Sequence, residues 1–233
     1  MPLQGRHRYF QRHLNRRIGL LFAVGSLFFM LGGIFSLEPG LARGFSLQTG
    51  ALDAIFFAGS IPFTTAAYLQ LFQAANASPV GSRLPWPGAP RAWFGWRPGD
   101  INWLGCALQF VGTLMFNINT YDAMLPQLSW QQQNLAIWAP DMVGSALFLA
   151  SAFLAYAECW RSPGPWQPRK LVWWICIINL LGCIAFMLSA VLAFTPGTGQ
   201  ADGALSMSLL ATVIGAAAFL TGGLLMLPEP VES

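Results

Sequence analysis

Apolar residues run along the chain in six long blocks, at 18–37, 52–74, 101–118, 138–157, 171–194 and 204–227, with charge, proline and amide side chains gathered between them. A helix needs about 20 mostly apolar residues to cross a bilayer. Each block meets that requirement, so the pattern predicts an all-α integral membrane protein with six transmembrane helices. The fourth block is the least clean, because Asp141 stands in its first turn. A secretory signal behind the basic lead at 6–17 is the competing reading of the first block. Its apolar run is too long for a signal and lacks a small-x-small cleavage site.

A second pattern lies inside the blocks. Each holds a Gly, then a Phe four residues on, then a third residue, usually small, at i+7. The sets are Gly25, Phe29, Gly32; Gly59, Phe63, Ala66; Gly112, Phe116, Asn119; Gly144, Phe148, Ser151; Gly182, Phe186, Ser189; and Gly215, Phe219, Gly222. Positions i, i+4 and i+7 share one helix face. Small residues there let a neighbouring backbone approach closely, and the Phe fills the remaining space. The separations Gly25 to Gly59, Gly112 to Gly144 and Gly182 to Gly215 are nearly equal. The chain therefore reads as three repeated helical hairpins, related by an axis near the membrane normal. The expected organisation is a basic tail at 1–17, hairpins at 18–75, 101–158 and 171–227, connecting loops at 76–100 and 159–170, and a short tail at 228–233.

In three blocks the glycine is followed by serine: Gly25-Ser26-Leu27-Phe28-Phe29, Gly59-Ser60-Ile61-Pro62-Phe63 and Gly144-Ser145-Ala146-Leu147-Phe148. A two-helix membrane hairpin with Gly-Ser-x-x-Phe in its helices resembles the YrhK-like domain of bacterial membrane proteins. The third and sixth blocks depart from it, with Thr113 and Ala216 in place of Ser. The resemblance implies a bacterial cytoplasmic (inner) membrane location and supplies no catalytic residues.

Charge adds a direction. Of the 12 Lys and Arg residues, only Arg43 falls in the first, third or fifth loop; the others lie in the N-terminal tail and the even loops. The positive-inside rule then places that tail, the loops at 76–100 and 159–170 and the C-terminus in the cytoplasm. Most tryptophans cluster near the same boundary, with Trp130 and Trp138 near the outer one. Composition agrees: 55% of the 233 residues are hydrophobic and 9% charged, against about 25% charged in soluble domains. The loop at 76–100 interleaves Trp86, Trp93, Phe94 and Trp96 with Arg83, Arg91 and Arg97, and five prolines forbid a continuous helix. It is expected to lie on lipid headgroups, with anionic lipid or a protein as its partner. The third loop, with Gln131, Gln132, Gln133 and Asn134, is expected to be polar and outward-facing.

Several chemistries are excluded. Both histidines, His7 and His13, are in the basic tail, so bis-histidine haem and a His-rich intramembrane zinc site have no ligands. No Lys lies mid-span for a retinal Schiff base, no phosphate-binding glycine motif occurs, and no nucleic-acid module accompanies the basic segments. No metal or cofactor is expected. Cys176 and Cys183 share a face but lie too far apart to form a disulfide.

Intramembrane polar residues remain as candidates. Asp53, Asp122, Asp141 and Asn119 could form an outer-face cation or amine site; the competing reading is that Asp53 and Asp141 answer the free amides of helix N-termini. Gln109 and Asn179 each precede a motif glycine by three residues and are expected to bond across helices. Glu158 is expected to pair with Arg161 at a boundary, and Pro62 is a candidate kink. With no reaction centre legible, the first functional expectation is a non-enzymatic membrane protein of structural or interaction type, alone or as a homo-oligomer. The second is a small cation or amine transporter or channel with an acidic outer mouth. An enzyme is the weakest reading, since only the outer-end carboxylates offer acid–base chemistry.

Overall fold

The structure is a computed structural model that describes residues 3–77, 92–125, 128–161, 167–196 and 202–227. Arg83, Arg91, Trp86, Trp166 and the tail at 228–233 lie outside the described residues. Among the described residues the regular structure is entirely helical: α1 (Leu3–Leu37), α2 (Pro39–Gly44), α3 (Thr49–Ala75), α4 (Ile101–Asp122), α5 (Trp130–Gln133), a π-helical turn (Asn134–Trp138), α6 (Ala139–Arg161), α7 (Leu171–Leu192) and α8 (Asp202–Leu225). Six helices are long and apolar enough to cross a membrane.

Three boundaries differ from the sequence expectation. Helix α1 starts well inside the basic tail, and a short helix, α2, occupies the first connection. The third loop is also shorter than expected. Its glutamines are helical, because Ser129 and Gln132 form a capping box that starts the helix at Trp130. The helix then passes through a π turn before α6. Pro140 has no N–H to offer the carbonyl of Ala136, and a turn of wider register precedes it.

The six long helices form a closed ring. Each packs on its sequence neighbours, in the order α1, α3, α4, α6, α7, α8, and α8 returns to α1. Paired glycines bring the helices together within each hairpin. A Cβ added at Gly25 would lie 2.8 Å from the Gly59 carbonyl oxygen, and one at Gly59 would lie 3.0 Å from that of Gly25. Gly112 and Gly144 face each other in the same way at 3.1 Å, and Gly215 meets the Gly182 carbonyl oxygen at 3.1 Å. The ring closes at a fourth glycine contact, where a Cβ at Gly19 or Gly223 would lie 2.7 Å from the other's carbonyl oxygen. These approaches need residues without a side chain.

The residue after each motif glycine is sealed inside the ring. Ser26, Ser60, Thr113, Ser145 and Ala216 are fully buried, and Cys183 nearly so. The Ser26, Ser60 and Thr113 hydroxyls donate to carbonyls of their own helices (Phe22, Phe57 and Phe110), whereas Ser145 donates across to the Phe186 carbonyl on α7. The outer wall is the reverse of a soluble protein's surface. Leu20, Leu27 and Leu31 on α1, Leu181, Leu188 and Val191 on α7, and Leu210 and Ile214 on α8 are exposed. Apolar stripes on that scale are stable against lipid tails and costly against water.

Candidate functional site

The motif phenylalanines point to the ring's axis. Each lies on the motif glycine of its hairpin partner: Phe63 on Gly25, Phe29 on Gly59, Phe148 on Gly112, Phe116 on Gly144, Phe219 on Gly182 and Phe186 on Gly215. A ring packed on bare backbone has its direction set by the helix crossing, so three crossings, with two rings at each, deliver six rings to one level. There they touch. Centroid separations are 5.0 Å for Phe116–Phe148, 5.5 Å for Phe29–Phe63, 5.6 Å for Phe63–Phe219 and Phe186–Phe219, and 5.9 Å for Phe148–Phe219. Phe29–Phe186 and Phe116–Phe186, both at 6.2 Å, close the layer. Most contacts are edge-to-face or tilted, the arrangement aromatic quadrupoles favour.

A cavity lies on each side of this layer. At the acidic end, a space of about 330 Å³ is lined by residues of all six long helices, with Phe29, Phe63, Phe116, Phe148 and Phe186 as its floor. Asp53, Asn119 and Asp141 face it together. Lower down, hydroxyls form two clusters. Thr120 donates to Ser60 at 3.4 Å on one side; Ser189 meets Thr212 at 2.7 Å and Ser208 at 3.1 Å on the other. The wall thus carries two carboxylates, an amide and five hydroxyls above an aromatic floor.

The structure brings together three of the four residues expected at the outer mouth. Asp122 is not among those lining the cavity. Phe116, Asn119, Thr120 and Ala123 define the cavity face of α4, and at 3.6 residues per turn Asp122 falls on its flank. The capping reading of Asp53 and Asp141 is corrected. Helix α3 begins at Thr49, so Asp53 is already in its second turn. Asp141 follows eleven residues of unbroken helical backbone that starts at Trp130. Neither carboxylate answers a free helix terminus.

At the basic end, a larger cavity of about 570 Å³ is again lined by all six long helices, with Phe148 and Phe219 beneath it. Gln109 and Asn179, expected as glue between helices, both line it. Asn179 also fills the place of the missing side chain at Gly222. Gln70 contributes an Oε1 atom that is buried with no hydrogen-bond partner among the described residues. Glu158 and Lys170 stand toward the mouth. The side chain of Arg161, the partner expected for Glu158, is outside the described residues. All four cysteines, Cys106, Cys159, Cys176 and Cys183, line this one cavity. Their convergence was not foreseen, since they stand on three different helices with no common spacing. Beyond the mouth, Asn76 exchanges two hydrogen bonds with the Ala92 backbone, and Arg97 donates to the Ala77 carbonyl at 2.7 Å. These bonds hold the described part of the loop, with its exposed Trp93 and Trp96, against the end of α3.

Together these features define a multi-pass helical membrane protein whose six helices enclose two cavities, each with polar groups on a mostly apolar wall, separated by an aromatic layer. Compared with protein-family models, curated proteins and solved structures, the chain matches none.

Proposed function

We propose that the chain is a small conduit for cations or amines, in which a solute passes along the axis of the helix ring between an acidic outer cavity and a basic-end inner one. The observation that carries this reading is that both cavities are lined by all six helices and share Phe148 as part of their boundary. A packing scaffold has no use for cavities on both sides of its core that carry carboxylate, amide and hydroxyl groups on their otherwise apolar walls. Asp53 and Asp141 would attract a cation and exchange with its hydration shell, helped by Asn119 and the hydroxyls of Ser60, Thr120, Ser189, Ser208 and Thr212. The phenylalanine layer would act as the closed gate, since an aromatic constriction excludes water.

The membrane is proposed to be the bacterial inner membrane, on the strength of the YrhK-like motif alone, and the basic end is proposed to face the cytoplasm, as the distribution of Lys and Arg favours. Accessibility tags at Arg91 and Arg169 should both read as cytoplasmic, and one at Gln131 as external. A split result for the first two would overturn the three-hairpin topology.

The test of function is flux in proteoliposomes together with thermal stability of the purified protein. A cation that uses the path should raise the melting temperature, and Asp53→Asn with Asp141→Asn should abolish both that rise and the flux. Unchanged flux in the double variant would defeat the proposal. A scaffolding or interaction role, without catalysis, is favoured by one other observation: Trp93, Phe94 and Trp96 are exposed side by side at the basic end. Co-purification of a stoichiometric partner that is lost in Trp93→Ala/Trp96→Ala supports that second reading.

A further inference from the structure

The acidic-end cavity has the size and the walls of a site for an organic molecule. Its volume of about 330 Å³ falls at the lower end of the range for small-molecule sites, about 300–1,000 Å³, and far exceeds a bare ion. Its floor is a continuous aromatic surface. Phe63, Phe29, Phe186, Phe116 and Phe148 form an unbroken chain of ring contacts, each between 5.0 and 6.2 Å. Phe56 carries that surface up the wall, its ring 5.6 Å from that of Phe29. Charge in this space has one sign. Asp53 and Asp141 line it, and none of the described residues around it is Lys, Arg or His.

A metal ion is poorly served there. Calcium takes six to eight oxygens at close range, and magnesium takes an octahedron of them. Among the described residues, no three His, Cys, Asp or Glu side chains come together as a metal site. The cavity hydroxyls stand in two separate groups, Thr120 with Ser60 and Ser189 with Ser208 and Thr212. Most of the remaining wall is hydrocarbon. An ammonium group on an apolar body needs less. One carboxylate is enough for its N–H groups, and aromatic faces take both the body and the rest of the charge.

The far side of the layer suits the same kind of molecule. Neighbouring helices are antiparallel, as the Gly25–Gly59 and Gly32–Phe56 contacts show for α1 and α3. One depth is therefore reached seven residues before the motif phenylalanine in α1, α4 and α7, and seven after it in α3, α6 and α8. Positions seven apart share a helix face and differ by about 10 Å in height. The six positions hold Phe22, Gln109, Asn179, Gln70, Ala155 and Met226, and all of them line the basic-end cavity. At this depth each hairpin presents one carboxamide, one apolar side chain and no charge. Any one of these carboxamide oxygens can accept an ammonium N–H while the body rests on Phe22 or Met226. A bare metal ion would meet no counter-charge among the six.

We propose that the acidic-end cavity takes as its ligand an amphipathic organic amine in its ammonium form, rather than a metal ion. As the substrate class of the conduit this rests on the reading given above; as a binding site it does not. The ammonium pairs with Asp53 or Asp141, and the body lies on the phenylalanine floor.

The probe is phenethylamine, titrated at neutral pH into the full chain in nanodiscs, with empty nanodiscs as the baseline for partition into lipid. Methylammonium keeps the charge and lacks the body; phenethyl alcohol keeps the body and lacks the charge. Phenethylamine should bind about tenfold or more tightly than either, and sodium at matched ionic strength should not displace it. Asp53→Asn/Asp141→Asn should weaken phenethylamine binding by about tenfold or more and leave phenethyl alcohol binding unchanged. The comparison among ligands uses the wild-type chain, so it stands even if the variant fails to fold. Equal affinity for phenethylamine and phenethyl alcohol overturns the proposal. So does methylammonium binding as tightly as phenethylamine, or displacement of phenethylamine by sodium. Flux in proteoliposomes separates this result from the conduit reading. Phenethylamine that binds through the aspartates but is not carried upholds the ligand and removes the conduit. Aspartate-dependent sodium flux without phenethylamine binding removes the ligand and keeps the conduit.

Discussion

At the scale of single residues, the molecule is organised by where side chains are missing. Gly25, Gly59, Gly112, Gly144, Gly182 and Gly215 let helices touch backbone to backbone, and each vacancy is filled by a phenylalanine from the facing helix. Gly25 and Phe29 are thus two halves of one device repeated across the hairpin, since Phe63 covers Gly25 and Phe29 covers Gly59. The device makes a contrast that mutation can read. In Gly25→Ala the new methyl would lie 2.8 Å from a backbone oxygen that cannot move without separating the helices. We expect a loss of about 1–3 kcal/mol, the usual cost of overpacking, seen as a lower melting temperature in detergent. Gly40→Ala, on α2, meets no atom within 4 Å and should leave the melting temperature unchanged. If the two variants melt alike, the glycine contacts do not hold the ring together. Gly19→Ala tests the closure itself, because the Gly223 carbonyl oxygen at 2.7 Å belongs to the far end of the chain.

At the scale of elements, the most informative segment is the helix from Trp130 to Arg161, broken in register at its π turn. That turn is fastened to the end of α7 and the residues that follow it. The Asn134 amide donates to the Thr195 carbonyl at 2.6 Å and accepts from the Thr195 N–H at 3.1 Å, while the Trp138 indole donates to the Ala190 carbonyl at 2.9 Å. Ile137, inside the turn, lines the acidic-end cavity, and Asp141 follows it into the same space. Asn134→Ala removes two hydrogen bonds and should cost about 1–2 kcal/mol of stability, with a matching fall in the midpoint of thermal unfolding; no change would mean that the turn is not anchored there. This segment also shows where sequence reading falls short. The six spans and the Gly–Phe spacing were legible, because hydrophobic length and helical period are properties of one helix at a time. The start at Trp130 was not, because Pro140 followed by Asp141 looks like the opening of a helix. Only the widened turn, docked on α7, lets the backbone run through the proline. The sequence alone therefore offers Asp141 as a cap, whereas it is an interior group facing a cavity. Asp122, grouped with it by sequence, lies off the cavity face by the ordinary rotation of the helix.

At the scale of the whole molecule, what matters is the coincidence of heights. A periodic Phe in each helix is visible in the sequence, but its level along the axis is set by how the hairpins pack, and so the layer and the two cavities it divides emerge only from the assembled ring. Phe148 is the residue on which the division turns. It is almost completely buried, it touches Phe116 and Phe219, and it borders both cavities. Cutting it to alanine removes the ring that borders both cavities, which would join the hydroxyl-lined space at the acidic end to the one at the basic end. If the layer is a gate, Phe148→Ala in proteoliposomes should leak cations passively, on the order of tenfold or more faster than the wild type, because a hydrophobic constriction closes by dewetting and its loss lets water and ions through. Loss of a buried Phe also costs about 3–5 kcal/mol, so the leak must be read alongside Phe148→Leu, which keeps most of the apolar volume and should stay closed. A Phe148→Ala protein that elutes as a folded species, reconstitutes, and remains as tight as Phe148→Leu would show that the six rings are packing and nothing more. In that event the two cavities would be separate pockets, each needing its own explanation, and the path along the axis would be lost.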